Sequence, residues 1–466
     1  MSAEGPLVSV YITNYNYERF IEASIQSVYN QTLSDWELII IDDGSTDGSR
    51  EIIEKYRSDE RVTIIYQQNK GLNITNNVAM RVAKGKYLMR LDADDYLVHT
   101  ALERMSAVLE ADNDLGLVFP DYYYVDAEGN KTGEEKRHNF DKEVSLYDQP
   151  AHGACTMIRL SFLKKLGGYN ESFTCQDGYD LWLKFITHYS VSNVNEPLFY
   201  YRRHGSNLTT NEERILETRR AIKKTFLEHA EVENSCLVVI PARNTKIKGQ
   251  SIPLFETEGE TILSRKVRTA LAAKTTSLVY VISEDREVLK YAESQFANES
   301  RVVVLERSAV LAGPNQTLGA TVQLAIDDAR AAKVSFQYVM TAALDYPFVH
   351  ADILDDAVNT VELFKSDSVL SVRPDNKMYY RHNGQTLNPI LDQEQFTRLE
   401  REALYRAVGG IMVATVSSFD ERGKINAGTM SHVVVDERSA FGIFSEFDFN
   451  IYRALLAENE VHESHS

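Results

Sequence analysis

The chain has 466 residues, of which 43% are hydrophobic and 25% charged, and its formal net charge is −18. This composition excludes a disordered, collagen-like or disulfide-stapled protein, and the length is enough for two to three domains. A surface this acidic repels phosphate backbones, so nucleic acid is not an expected partner. The three cysteines lack metal-ligand spacing and no apolar run reaches the about 18 residues of a membrane span, so we expect a cytoplasmic protein.

Apolar runs typical of strands alternate with amphipathic stretches in the first third of the chain. We predict strands over residues 7–12, 36–41, 62–66 and 87–91 with helices between them, the clearest over residues 72–83. Strands that alternate with helices at this spacing predict βαβ units and a mainly parallel sheet. Ligands bind at the carboxyl ends of strands in such sheets, and polar clusters follow the first, second and fourth strands.

The chain divides near residue 233 into two α/β domains. We place the first domain at residues 1–210, and a charged helix that connects the domains or ends the first one at residues 211–233. From Cys236 the alternation of strands and helices starts again and forms a second domain at residues 234–466. The predicted fold class is therefore α/β, with two domains.

Three carboxylates stand close together in the motif Leu91-Asp92-Ala93-Asp94-Asp95, directly after the fourth strand. Bunched carboxylates repel one another, and a divalent cation, Mn²⁺ or Mg²⁺, is the simplest compensation. One carboxylate then accepts from a ribose hydroxyl while the other holds the cation on a diphosphate. The alternative is a solvated acidic loop or a helix cap.

A second acidic cluster, Asp42 and Asp43, follows the second strand. A carboxylate here accepts the N3–H of uracil or thymine, a donor that cytosine lacks, and so favours a UDP- or dTDP-linked ligand. The alternative is a plain strand-to-helix turn in which a neighbouring polar residue caps the next helix. After the first strand, Tyr15 either stacks on the base or packs within the protein.

Several motifs occur together and in order. They are Val8-Ser-Val-Tyr-Ile-Thr-Asn-Tyr-Asn16, Ile41-Asp-Asp-Gly-Ser-Thr-Asp47, Gly71 with Asn77, Gly85-Lys-Tyr87 and the motif after the fourth strand. Residues 7–205 therefore resemble a family 2 glycosyltransferase with the GT-A fold. The resemblance implies a metal ion at Asp94 and a nucleotide-sugar donor bound by Thr13, Tyr15, Asp42, Asp43, Asn77 and Asp92. Thr13 stands where the family usually has Pro, and Asn76 where an Arg is common.

Further along, Gly167-Gly-Tyr-Asn-Glu171 and Gln176-Asp177-Gly-Tyr-Asp180-Leu-Trp-Leu-Lys184 are similar to the family's acceptor-side segment. The resemblance makes Asp177 the general base of an inverting transfer, with Gln176 in place of the usual Glu. Such a base takes the proton of the acceptor hydroxyl, while a metal and cationic groups stabilise the leaving diphosphate. Arg202 and His204 are expected to bind the donor and the metal; the alternative is a basic surface turn.

The second domain, over residues 236–458, resembles a CMP-sugar synthetase, which has a cytidylyltransferase fold. The resemblance implies a nucleotide site formed by Arg243, Lys246, Lys248, Arg307 and Asp345. The loop after its first strand lacks the family's two flexible glycines, which let backbone approach phosphate closely. Gly442 and Phe444 stand in place of two metal-binding carboxylates, so we expect a degenerate domain.

The favoured function is a metal-dependent inverting transfer of a sugar from a nucleotide-sugar to a glycan, lipid-linked or protein-linked acceptor. One alternative is a bifunctional enzyme that also makes a CMP-activated acidic sugar, and another is a non-catalytic nucleotide-binding scaffold. The intact Asp42, Asp92, Asp94 and Asp177 argue against the scaffold. The resemblances further imply surface polysaccharide biosynthesis and a homodimer formed through the second domain, and peripheral membrane association stays open.

Overall fold

The computed structural model describes residues 5–136, 153–204, 212–228, 230–257, 259–312, 317–375, 379–389 and 404–463. The chain forms two compact units, Met1–Arg219 and Arg220–Ser466. Each unit is built from a sheet and helices, which confirms the predicted α/β class. Within the described ranges, no helix combines the length and the apolar character that crossing a membrane requires.

The first unit contains a nine-stranded mixed sheet over its described residues. The strands are β1 (Val8–Asn14), β2 (Trp36–Asp42), β3 (Val62–Tyr66), β4 (Tyr87–Asp92), β5 (Tyr96–Leu97), β6 (Leu115–Val125), β7 (Lys131–Glu135), β8 (Met157–Arg159) and β9 (Ser190–Arg202). The helices are α1 (Ile21–Tyr29), α2 (Ser49–Glu54), α3 (Leu72–Val82), α4 (Ala101–Ala111), α5 (Leu160–Lys165) and α6 (Asp177–Ile186). The next helix, α7 (Glu212–Phe226), contains the boundary between the two units. The strand order is β3-β2-β1-β4-β8-β6-β9-β5, and β7 pairs with β6.

Burial explains why the first strands appear as continuous apolar runs in the sequence. All seven residues of β2 and the first five of β1 are buried, as expected for parallel strands covered on both faces. Their side chains form one hydrophobic core with those of β4, including Ile12, Ile40 and Leu91. The structure adds β6, a continuous strand of 11 residues, beyond the four strands predicted from the sequence.

The register of the strands brings the predicted polar clusters to one edge of the sheet. β1 pairs in parallel with both β2 and β4, so Asn14 lies opposite Asp42 and Thr13 lies opposite Asp92. β4 and β6 are each antiparallel to β8, and β9 is parallel to β6, so β9 ends at the same edge with Arg202. The carboxyl ends of β1, β2, β4 and β9 therefore surround one candidate site.

The second unit contains a seven-stranded sheet, in the order β16-β15-β10-β17-β21-β18-β22, and three two-stranded ribbons among the residues described. The strands are β10 (Cys236–Pro241), β11 (Lys246–Ile247), β12 (Gln250–Ser251), β13 (Glu256–Thr257), β14 (Glu260–Thr261), β15 (Thr276–Ser283), β16 (Val302–Glu306), β17 (Tyr338–Ala342), β18 (Ser368–Asp375), β19 (Tyr380–His382), β20 (Leu387–Pro389), β21 (Leu404–Thr415) and β22 (Met430–Val434). The helices are α8 (Ile262–Ala272), α9 (Arg286–Gln295), α10 (Gly319–Ala331), α11 (Ala351–Phe364), α12 (Val416–Arg422) and α13 (Glu446–Glu463), with a 3₁₀ helix at Ala309–Ala312.

The loop after β10 folds into a tight hairpin. β11 and β12 are antiparallel and are joined by Lys248 and Gly249, whose φ angles are 50° and 78°. Two successive positive φ angles form the turn that suits a two-residue hairpin, and Gly adopts this conformation without strain. The segment that the resemblance assigned to a triphosphate is therefore a hairpin with an exposed turn.

Candidate active site

Asp94 and His204 meet at the carboxyl edge of the first sheet. Asp94 follows β4, His204 follows β9, and His204 Nε2 lies 2.9 Å from Asp94 Oδ2. The two side chains are 11% and 10% exposed, and the imidazole stacks on the ring of Phe20 with centroids 5.4 Å apart. A carboxylate oxygen beside an imidazole nitrogen is a ligand pair suited to Mn²⁺.

The surroundings of this pair fit a divalent cation. Burial and the neighbouring carboxylates of Asp94 and Asp92 raise the pKa of Asp95 well above its ordinary value. Burial also raises the pKa of Asp92 to about 6, with Arg90 opposing the rise and Asp94 adding to it. No group of three or more His, Cys, Asp or Glu side chains placed to hold a metal occurs in the part of the chain that the structure describes. A cation here would therefore need further ligands from a substrate or from water.

Arg90 connects Asp92 with the predicted base. It lies in β4, where its Nε is 2.8 Å from Asp92 Oδ1 and its Nη1 forms an ion pair with Asp177 Oδ2. The side chain is only 7% exposed. Burial opposes the guanidinium charge, but Asp177 and Asp92 outweigh it and raise the pKa of Arg90 above its ordinary value. Sequence reasoning missed Arg90, although a charged residue within an apolar strand signals buried partners.

Asp177 begins α6 inside a buried polar network. Asn76 Nδ2 lies 3.5 Å from Asp177 Oδ2, and the Tyr11 hydroxyl donates to Asn76 Oδ1 at 3.1 Å. The hydroxyls of Tyr11 and Tyr169 are 3.3 Å apart, and burial raises the pKa of Tyr169 to about 12. The contacts from Arg90 and Asn76 both reach the same carboxylate oxygen, Oδ2. Asp177 is therefore held from one side by a cation and an amide.

The carboxylates of Asp42 and Asp43 hold the chain that follows β2. Asp42 is fully buried and accepts hydrogen bonds from Asn14 Nδ2 at 3.0 Å, Ser45 N at 3.1 Å and Arg50 Nε at 3.1 Å. Asp43 accepts from Gln67 Nε2 at 2.7 Å, Lys70 N at 2.9 Å and Gly71 N at 3.0 Å. Both carboxylates thus organise the turns after β2, and their contact with a base stays a prediction.

Three further residues were expected to bind the donor from β1 and α3. Thr13 is half-buried beside Asp92, and Tyr15 is 46% exposed. Asn77 is buried, and its amide is bonded to the loop after α5: Nδ2 donates to Tyr169 O and Glu171 Oε1, and Oδ1 accepts from Tyr169 N. The polar atoms of Asn77 therefore bind this loop, and its role towards the donor stays a prediction.

Arg202 stabilises the loop that carries Asp94. Its Nε donates to the Asp94 carbonyl at 2.9 Å, its backbone N–H donates to Asp95 Oδ1 at 2.9 Å, and its Nη1 donates to the Ala127 carbonyl at 2.9 Å. The side chain is buried, and its guanidinium also lies 4.8 Å from the Phe20 ring centroid. Arg202 thus fixes the position of Asp94, and its contact with the donor stays a prediction.

The residues assigned to a nucleotide site in the second unit have different surroundings. Arg243, Lys246 and Lys248 are exposed, and Lys248 pairs with Glu446 at 2.5 Å. Arg307 is buried and donates to Glu284 Oε2 at 2.9 Å and to Thr321 Oγ1 at 3.2 Å, so it is part of the core. Burial raises the pKa of Asp345, and it lowers that of the neighbouring Lys266 to about 7.

Comparisons with known proteins bear on the first unit. The family described as Glycosyl transferase family 2 matches residues 9–167. An uncharacterised glycosyltransferase of Methanocaldococcus jannaschii is 34% identical over 208 residues, which cover 43% of this chain and 71% of that protein. Chondroitin synthase of Escherichia coli is 32% identical over 203 residues, which cover 43% of this chain and 30% of the synthase.

Among solved structures, S. aureus TarS 1-349 in complex with UDP-GlcNAc is 16% identical with a TM-score of 0.42, over 86% of this chain and 98% of that one. A mannosyltransferase of Pyrobaculum calidifontis, solved with GDP-Man and Mn²⁺, is 18% identical with a TM-score of 0.39 over 48% of this chain and 65% of that one. The sequence similarity covers 71% of the Methanocaldococcus protein, and the family match spans the motifs of Asp42, Asp43, Asp92 and Asp94. The chain therefore belongs to glycosyltransferase family 2.

Proposed function

We propose that the first unit is a metal-dependent inverting glycosyltransferase that moves a sugar from a nucleotide-sugar to an acceptor hydroxyl. The observation that carries the proposal is the meeting of Asp94 with His204 at the sheet edge where Arg90 links Asp92 to Asp177. Asp94 and His204 are suited to hold a cation on a diphosphate. Asp177 is suited to act as the base. An inverting transfer needs both functions at one site.

In the proposed reaction Asp177 accepts the proton of the acceptor hydroxyl. The acceptor oxygen then bonds to the anomeric carbon, while the bond from that carbon to the diphosphate breaks and leaves its electron pair on the diphosphate. Because Arg90 and Asn76 both bind Oδ2, we assign the proton to Oδ1 of Asp177. A cation held by Asp94 and His204 would stabilise the charge of the leaving diphosphate.

The donor is proposed to be UDP- or dTDP-linked, with Tyr15 stacking on the base. Tyr15 is exposed after β1, next to the turn that Asp42 and Asp43 organise. Recognition of N3–H by Asp42 or Asp43 would need one of these carboxylates to exchange an internal partner for the base. The similarity to chondroitin synthase supports a carbohydrate acceptor, either a free glycan or one linked to lipid or protein.

A screen of nucleotide-sugars tests this proposal. The full chain is heated with UDP-GlcNAc, UDP-glucose, dTDP-glucose or GDP-mannose, each with and without Mn²⁺, and ligand binding raises the midpoint of unfolding. We expect a rise that requires Mn²⁺, together with slow Mn²⁺-dependent hydrolysis of the same donor. If no nucleotide-sugar stabilises the parent, or if chelation leaves stabilisation and hydrolysis unchanged, the proposal is wrong.

For the second unit we propose a cytidylyltransferase-like domain that does not transfer CMP from CTP to a sugar. Gly442 and Phe444 occupy the positions of the two expected carboxylates, and the Phe444 ring lies 5.5 Å from that of Tyr346 in an edge-on arrangement. A Cβ atom added at Gly442 would overlap the Phe444 ring and approach the Tyr346 ring to 3.1 Å. The rings of Phe444 and Tyr346 therefore pack together at the place where a CMP-sugar synthetase would hold its metal.

Pyrophosphate release distinguishes this proposal from a bifunctional enzyme. The full chain is incubated with CTP, Mg²⁺ and an acidic sugar such as N-acetylneuraminic acid, and we expect no pyrophosphate above a protein-free control. Release that depends on both CTP and the sugar would favour the alternative in which the protein also makes a CMP-activated sugar.

A further inference from the structure

Helix α7 binds three consecutive residues that lie directly before the proposed base. Arg214 Nη2 donates to the Thr174 carbonyl at 3.0 Å, and Thr218 Oγ1 lies 3.1 Å from Cys175 Sγ. Arg219 Nε donates to Gln176 Oε1 at 2.8 Å. Arg214 and Thr218 are four residues apart and lie on one face of α7, and Arg219 follows Thr218 directly. Together the three side chains contact the segment that leads into α6.

Gln176 has an unusual backbone conformation. Its φ and ψ angles are 60° and 31°, the left-handed region that residues with a side chain seldom adopt. Its carbonyl accepts from the N–H groups of Tyr179 and Asp180, so Gln176 is the residue on which α6 starts. A residue held in such a conformation needs contacts from its surroundings, and strain of this kind is concentrated at functional sites.

Two arginines therefore act on the two sides of Asp177. Arg90 binds the carboxylate of Asp177 from β4. Arg219 binds the side chain of Gln176 from α7, and its guanidinium also lies 5.3 Å from the centroid of the Tyr179 ring. The Gln176 backbone sets the direction in which Asp177 enters α6, so the Arg219 contact acts on the base through Gln176.

We propose that Arg219 is a positioning residue for the base, and that α7 holds Gln176 in its left-handed conformation so that Asp177 faces the acceptor. The catalytic part of this proposal rests on the proposed function, in which Asp177 accepts the proton. Asp177 is assigned to the chemistry by its motif and its ion pair with Arg90, whereas Arg219 reaches the base only through Gln176. The contact between Arg219 and Gln176 is called the strut.

Hydrogen–deuterium exchange of the full chain tests the strut without relying on activity. The reporters are the amides of Tyr179 and Asp180, which donate to the Gln176 carbonyl. In Arg219→Ala and in Gln176→Leu we expect these amides to exchange at least fivefold faster than in the parent. Lys224→Ala, which removes an exposed positive charge from the same helix, should leave them unchanged. Equal exchange in Arg219→Ala and Lys224→Ala would overturn the strut.

Turnover tests the effect on catalysis. With UDP-GlcNAc and Mn²⁺ as the probe, we expect Arg219→Ala and Gln176→Leu to lower kcat for UDP release about tenfold and to change KM less than twofold. Gln176→Glu keeps an oxygen that accepts a hydrogen bond from Arg219. Unlike Gln176→Leu, it should therefore keep kcat within about twofold of the parent. Faster exchange with an unchanged kcat would limit Arg219 to a structural role. A parent without turnover would overturn the proposed function for this donor and the catalytic role with it, while the exchange result would still decide the strut.

Discussion

The imidazole of His204 lies 2.9 Å from the carboxylate of Asp94, although 110 residues separate the two in the chain. β4 and β9 create this contact, because both strands end at the same edge of the sheet. The two side chains are about nine-tenths buried, and Arg202 fixes the loop beside them through the Asp94 carbonyl. A carboxylate and an imidazole are thus held in place before any substrate arrives, which would lower the cost of ordering the proposed metal site.

Substitution at this pair should weaken metal binding. We expect Asp94→Asn and His204→Gln each to lower the affinity for Mn²⁺, measured with UDP present, by about tenfold to a hundredfold, because each removes one of two protein ligands. Mn²⁺ binding can be followed by electron paramagnetic resonance of the free ion. His188→Gln is a matched control, since His188 is an exposed residue outside the site. Unchanged Mn²⁺ affinity in both site variants would refute the metal assignment.

Replacing the proposed base should separate binding from chemistry. Asp177→Asn keeps the size of the side chain but cannot accept the acceptor proton, so we expect kcat to fall by about 10²–10⁴-fold while donor binding persists. Asp180→Asn, one turn further along α6, is the control. Asp180 is paired with Lys184 at 2.7 Å, so its loss should lower thermal stability and leave kcat within a few fold. Equal transfer rates in Asp177→Asn and the parent would falsify the base assignment.

Arg90 should be important for stability as well as for activity. Arg90→Met leaves Asp92 and Asp177 without their shared cation inside the protein, and breaking a buried ion pair in this way costs about 3–5 kcal/mol. The free energy of unfolding, measured in urea, should fall by that order. Arg104→Met, which removes an exposed pair with Glu196, should change it little.

A second variant, Gly153→Ala, should displace the Arg90 side chain without removing its charge. A Cβ atom at Gly153 would lie 2.7 Å from Arg90 Nη2, so Gly153→Ala must displace the guanidinium. We expect a loss of about 1–3 kcal/mol in the same urea measurement, as for other overpacked sites. A Gly153→Ala protein as stable and as active as the parent would show that the position of Arg90 is not tightly constrained.

Local sequence patterns were enough to predict the strands that carry the site. β1, β2 and β4 are largely buried apolar runs that end in polar clusters, and parallel strands place such ends together. β6 was not predicted as one strand, because Pro120 and Asp121 interrupt its pattern, and Pro within a run argues against a strand. In the structure the pairing of β6 with β9 shifts register at these two residues, and the strand continues beyond them.

The motifs of the site indicated residue types but not the partners of each residue. Asp94, His204 and Asp177 were singled out from motifs, whereas the contact between Asp94 and His204 depends on two distant strands. Asp42 and Asn77 lie in the right region, but their polar atoms are used by internal turns and loops, which no spacing in the sequence reveals. Arg90, in contrast, was not predicted as a site residue. In the structure this basic residue of an apolar strand pairs with two carboxylates, those of Asp92 and Asp177.

A buried lysine in the second unit gives a prediction about pH. Lys266 is 3% exposed and donates to the Tyr346 carbonyl at 2.7 Å, and burial lowers its pKa from 10.5 to about 7 despite the opposing charge of Asp345. Between these pH values the unfolded chain binds a proton that the folded chain releases. Stability attributable to this group therefore rises with pH, by at most about 1.4 kcal/mol per pH unit.

Lys266→Met should abolish that dependence. The variant should be more stable than the parent near pH 7, and its advantage should shrink steadily as the pH rises towards 10, because the cost of releasing the lysine proton on folding falls as the pH approaches the unfolded pKa. Urea unfolding of both proteins at several pH values measures the difference, in which the titration of all other groups cancels. Lys274→Met, at an exposed lysine of the same unit, should show a difference from the parent that does not vary with pH. A pH-independent difference for Lys266→Met as well would show that Lys266 titrates normally in the folded protein.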